Sequence, residues 1–191
     1  MDISRLIRSQ VELSFVVPQN FFMVIERLPK IQFTVQRAQL PTVTAEEVLL
    51  SNSTNPGKVY LPGEGVDYTP LSVDFIIDKH FLNYKSILQW VKAVGHPETL
   101  EQTKFFDDST NDQYKNSFNK VMSNMTIVGT DAGLRPVADW TFYDCFPTDC
   151  DGPQYDSTLT DVEYFQSAVT FRYKYFKFNT YTNGVNDNDP I

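Results

Sequence analysis

Apolar residues at Leu71, Val73, Phe75 and Ile77 alternate with Ser72 and Asp74, the period of a strand with one buried face. The period then changes. Tyr84, Ile87, Leu88, Val91 and Val94 recur every three or four residues, which predicts a helix over about 82–95. Tyr84, Ile87, Leu88, Trp90 and Val91 are its expected packing residues. Gly95 is expected as a left-handed cap, and Pro97 cannot continue the helix. No other segment carries a comparable helical stripe.

The remaining pattern is one of strands and turns. Residues 1–18 read as an arm, with a small apolar face of Ile3, Leu6 and Ile7 closed off by Pro18. Phe21–Glu26 and Ile31–Val35 are expected to form a hairpin turning at Leu28–Lys30, with Ile31, Phe33 and Val35 on one face and Gln32, Thr34 and Gln36 on the other. Leu40–Pro41 interrupts the ladder, because proline donates no hydrogen bond. Val43–Leu50 resumes it, Ser51–Gly57 is dense in turn formers, Lys58–Leu61 is a short strand, and Pro62–Gly65 is read as another turn. Residues 96–122 read as a polar insertion loop. Met125–Val128 and Val137–Phe142 are strands around a turn, and 165–175 is expected to be the longest strand. Residues 179–191 read as a polar tail. The body between arm and tail, 19–178, is therefore expected to be a single domain, mainly β: an antiparallel barrel or sandwich with one flanking helix.

Composition narrows the function classes. A chain of 191 residues can bury a real core, and its formal charge of −8 gives it no basic footprint for nucleic acid. No run of about 18 apolar residues offers a membrane span, and charges interrupt the apolar part of the first residues, against a secretory signal. Cys145 and Cys150 are the only cysteines; with only His80 and His96 to join them, a zinc site lacks ligands, and two reduced thiols are expected. The Ser, His, phosphate-loop and dinucleotide motifs of enzymes do not occur. His80 sits where a strand meets the helix, a capping or surface position. Asp107–Asp108 and Asp149/Asp151 lack calcium-loop spacing and read as solvated turns. No catalytic residue, metal or cofactor is expected.

Several runs together resemble a known family. They are Gln39–Leu40–Pro41 at a strand end, Pro70–Phe75, Asn83–Tyr84 with Ile87 and Trp90, Trp140-x-Phe142-x-Asp144–Cys145–Phe146–Pro147, and the aromatic strand after Asp161. The chain is similar to the tail-tube superfamily of contractile-tailed phages over roughly residues 20–178. Ile76–Ile77–Asp78 and Gly95–His96–Pro97 tilt the resemblance towards the head-proximal tail terminator, the tail completion and sheath stabiliser protein.

The resemblance implies a structural virion protein, assembled in the host cytoplasm, that forms a homo-hexameric ring at the head-proximal end of the tail. Its implied partners are copies of itself, the tail tube protein, the tail sheath protein and neck or connector proteins, with no membrane. DNA would pass through the lumen without specific binding, since six copies of −8 give −48. Gln32, Thr34, Gln36 and Asp74 are the candidate lumen-facing residues, and Ile3, Leu6 and Ile7 the candidate assembly arm. The major tail-tube subunit is the alternative role. A carbohydrate-binding β-sandwich or an enzyme is a third, which would need its aromatic residues open in a groove.

Overall fold

Two antiparallel ladders share one long bent strand, and this bend organises the fold. The computed structural model describes residues 19–28, 35–50, 58–95, 121–155, 158, 164–182 and 185–186. Its strands are β1 (Phe21–Ile25), β2 (Val35–Gln39), β3 (Val43–Leu50), β4 (Val59–Tyr68), β5 (Leu71–Ile76), β6 (Ser123–Thr130), β7 (Pro136–Cys150), β8 (Gln166–Arg172), β9 (Tyr175–Thr182) and β10 (Val185–Asn186). Helix α1 spans Leu82–Gly95, between β5 and β6.

The first half of β7 pairs with β6 and β9, and β6 pairs in turn with β1. The second half of β7 pairs with β8, followed by β5 and β2. The switch falls at Asp144, whose φ of 54° is left-handed, where one extra residue of β7 is accommodated opposite β6. The chain breaks at the same level on the other side. Tyr173 and Lys174 separate β8 from β9, and the Lys174 amide donates to the Tyr143 carbonyl at 3.0 Å. Strands that change sheets through such bends make the corners of a sandwich.

The core lies between the two sheets and under α1. Leu71, Val73 and Phe75 of β5 meet Val169 and Phe171 of β8, while Met23, Ile25, Met125 and Phe142 come from the other sheet. Trp90 is fully buried, its ring centroid 5.6 Å from that of Phe171, and its indole N–H donates to the Val121 carbonyl at 2.6 Å. The helix begins in a hydrogen-bonded junction. Asp78 Oδ1 accepts from the Leu82 amide at 2.7 Å, supplying an acceptor to an otherwise orphan donor. Buried Asn83 donates to the Ile76 carbonyl at 2.7 Å and accepts from the Asp78 amide at 3.2 Å, so it ties β5 to α1.

Several expectations are corrected. β1 pairs with β6 and β2 with β5, at opposite ends of the strand order; residues 29–34, the turn and most of the second strand of the expected hairpin, lie outside the described residues. Among the described residues the ladder stays open between β1 and β2. Pro62–Gly65 is no turn but the middle of β4, where Gly63, Glu64 and Gly65 together oppose the single residue Glu46. The bulge absorbs both the proline and the glycines. β7, with 15 residues, is the longest strand among the described residues, and its length is hidden in the sequence because apolar alternation fades where it leaves the first sheet. Residues 165–175 are not one strand, and the phase of burial shifts after Lys174, with Phe176 packed against the core and Tyr175 outside it.

Residues 179–182, expected in a tail, complete β9 and pair through Asn179 and Thr180 with Asp139 and Ala138. Gly95 is the last helical residue and is not left-handed. The buried helix positions are Asn83, Ile87, Trp90 and Ala93; Tyr84 packs partly, while Leu88 and Val91 lie half-buried on the flank. Asn83 occupies the buried stripe because both ends of its amide are satisfied there. Ile3, Leu6, Ile7, Gln32, Thr34 and nearly all of the 96–122 loop lie outside the described residues.

Candidate assembly surfaces

β3 and β4 pair only with each other, as a two-stranded ribbon apart from the main sheets. Its base is fixed. Thr42 and Thr69 exchange hydrogen bonds, and the Tyr68 ring meets Tyr173 and Phe176 at centroid distances of 6.0 and 5.6 Å. Beyond the base the ribbon stands open on both faces. Val48 pairs with Leu61 on one face and Leu49 with Tyr60 on the other, and all four are 45–54% exposed. Glu46, Glu47, Glu64 and Asp67 are exposed along its neck. A lone two-stranded ribbon with both faces in water is marginally stable, and exposed apolar residues gathered this way mark a contact surface.

The second surface is the outer face of the sheet made by β2, β5 and β8. Ser72 and Asp74 point away from the core, and across the ladder they face Gln39 and Arg37 on β2 and Thr170 and Ala168 on β8. Gln36 is exposed and stands as the extra residue of a bulge between Val35 and Arg37. Gln36 and Asp74 therefore come together. With Gln19, Arg37 and Gln166 they line an open cleft of about 580 Å³ beside Phe21 and Val35. Sequence reasoning missed Arg37, because the bulge turns it to the same side as Asp74 against strict alternation.

Neither surface carries a catalytic constellation. Among the described residues no three His, Cys, Asp or Glu side chains are placed to hold a metal ion. His80 is exposed in the turn before α1. Cys145 and Cys150 are both free thiols. Burial pushes Cys145 up to about 12, and desolvation also raises Cys150, so both are held away from the thiolate form. Tyr173 is likewise pushed up to about 12, first by desolvation, while its hydroxyl donates to the Thr69 carbonyl at 2.8 Å. Asp139 is a buried polar node that no motif announced. Its Oδ2 accepts from Thr141 and Asn179 at 3.1 and 3.0 Å.

No helix among the described residues is long and apolar enough to cross a membrane.

Comparison with solved structures finds this fold in contractile injection systems. The tube-terminating cap of the anti-feeding prophage superposes with a TM-score of 0.62 at 13% identity, covering 91% of this chain and 97% of that one. The sheath–tube complex of an extracellular contractile injection system, PVC, gives 0.60 at 11% identity, with coverage of 95% and 99%. The baseplate of the anti-feeding prophage gives 0.59 at 15%, with 86% and 95%. No curated protein sequence matches the chain. The sequence profile described as phage tail tube protein matches residues 5–179, nearly the whole chain. The open ribbon and the polar outer sheet face thus belong to a non-catalytic structural component of a tail, and the chain is a member of the phage tail tube protein family.

Proposed function

We propose that this chain assembles into a homo-hexameric ring of the tail tube, around a channel through which DNA passes. The observation that carries this reading is the β3–β4 ribbon, an element whose apolar residues find no cover among the described residues of its own chain. A partner surface on another copy supplies that cover, and a protruding element that meets a different patch on its neighbour makes a heterologous contact, the kind that closes rings and stacks them.

Of the two roles open to such a ring, the stacking tube subunit has the support of the tail tube profile over residues 5–179. The head-proximal terminator, which would stabilise the last sheath ring and meet the neck, rests on the 76–97 run of the sequence. The two roles differ in polymerisation. Native mass spectrometry with electron microscopy of the purified protein tests them: growing tubes support the tube subunit, single rings that never stack support the terminator, and a monomer at all concentrations refutes both.

The outer face bearing Gln36 and Asp74 is the proposed channel lining, and the family's tail location makes the virion its place of work. Neutral amides and a carboxylate give phosphate nothing to grip, and Arg37 directly opposite Asp74 offsets rather than adds to the negative field. Replacing Gln36 and Asp74 by Lys should slow genome ejection while leaving rings intact. Loss of rings with normal ejection from the residual particles would place these residues in a subunit contact instead.

A further inference from the structure

We propose that the ribbon of one copy seats along the open edge of β9 in a neighbouring copy, its acidic neck held by Arg172, Lys174 and Lys177. This rests on the ring-forming reading above and names the partner surface which that reading leaves open.

The two surfaces match in chemistry. The ribbon offers half-exposed apolar residues on both faces and four exposed carboxylates at its neck; the only cation among its described residues is Lys58, at the far end. The β8–β9 corner offers the converse. Arg172, Lys174 and Lys177 are exposed within six residues of a chain whose net charge is −8. Beside them Tyr175 and Phe178 are 37% and 47% exposed. Tyr175 stacks on Tyr143 with centroids 4.7 Å apart, a firm apolar shelf under the ammonium of Lys177.

The backbone of β9 is open as well. On the side away from β7 it pairs with β10 only at Tyr181 and Thr182, so among the described residues Tyr175–Thr180 has unused hydrogen-bonding groups on that edge. An incoming extended strand can satisfy them.

Geometry selects another copy as the occupant. The ribbon springs from this same corner, with Tyr68 packed on Tyr173 and Phe176. The outer described end of the ribbon, where Leu50 pairs with Val59, therefore lies about 23 Å from its base at about 3.3 Å per residue, and cannot fold back onto its own β9. Each copy both gives a ribbon and receives one.

A lone lysine on a sheet edge also serves to repel other strands, and the experiment separates that role from docking. One variant carries Glu47→Lys and Glu64→Lys, leaving Glu46 in place against the glycines of the bulge. A second carries Lys174→Glu and Lys177→Glu. Each alone should stay folded, with an unchanged melting temperature, and assemble at least tenfold more weakly by native mass spectrometry. Mixed in equal amounts they should reassemble with the two variants alternating, because each ribbon then faces an opposite charge. If either variant assembles as wild type, or the mixture of folded variants stays monomeric, the docking assignment is overturned. A wild-type protein that never assembles would instead overturn the ring-forming reading itself.

Discussion

Truncating Trp90 removes the side chain on which the helix is seated. Trp90 is fully buried, packs on Phe171 and holds the Val121 carbonyl through its indole N–H. Large core aromatics cost about 3–5 kcal/mol when cut to alanine, through lost transfer energy and the cavity that remains. Leaving the Val121 carbonyl without its donor adds about 1 kcal/mol, since Val121, two residues before β6, is only half-buried and water reaches it. For a chain of this length each kcal/mol lowers the melting temperature by about 2–4 °C, so Trp90→Ala should lose roughly 8–24 °C. Trp90→Phe keeps most of the packing but not the donor and should fall between the two. Differential scanning calorimetry on the dilute, unassembled protein measures both. A Trp90→Ala protein melting within about 2 °C of wild type would show that α1 is not anchored by this contact, and the account of the core would fail.

The ribbon's bulge makes a sharper distinction. A Cβ at Gly63 would stand 2.9 Å from the Glu46 Cβ and 3.0 Å from its carbonyl, whereas one at Gly65 would meet only the mobile carboxylate end of that side chain. Gly63→Ala should therefore impair assembly clearly more than Gly65→Ala, with both bodies melting as wild type; equal effects would refute the bulge geometry. Thiol titration with Ellman's reagent at pH 8 should label Cys150 slowly and Cys145 only on unfolding, as their raised pKa values and unequal burial require. Rapid labelling of both in the native protein would contradict the packing at the β7 bend. Tyr173 ionises at about 12 in the folded chain against 10.0 unfolded, so its neutral form favours folding. That contribution is present below pH 10 and is lost as pH rises towards 12. The melting-temperature gap between wild type and Tyr173→Phe should accordingly be constant to about pH 10 and close above it.

What the sequence determined was local. The alternation of Leu71–Ile77 and the three- and four-residue spacing after it follow from the periods of strand and helix, and β5 and α1 stand where those periods place them. The Leu40–Pro41 break is equally local, since a proline can donate to no ladder. The absence of catalytic motifs and the tail-tube resemblance were also legible, being properties of residue types and their order.

The partnerships of the strands were not. Apolar alternation shows which face of a strand is buried but not which strand lies beside it, so nothing in the pattern joins β1 to its partner β6, about a hundred residues on. The bends were hidden for a related reason. A residue at a bulge changes the phase of everything after it, as at Asp144 in β7, at Tyr173–Lys174 between β8 and β9, and at Gln36, where the phase change sets Arg37 beside Asp74. The ribbon was hidden most completely, because Pro62, Gly63 and Gly65 signal a turn by every local rule. Only Glu46 on the opposite strand, with three residues to face, makes the same sequence a strand. Pairing across the sheet, which a one-dimensional pattern does not contain, decided where the assembly surfaces stand.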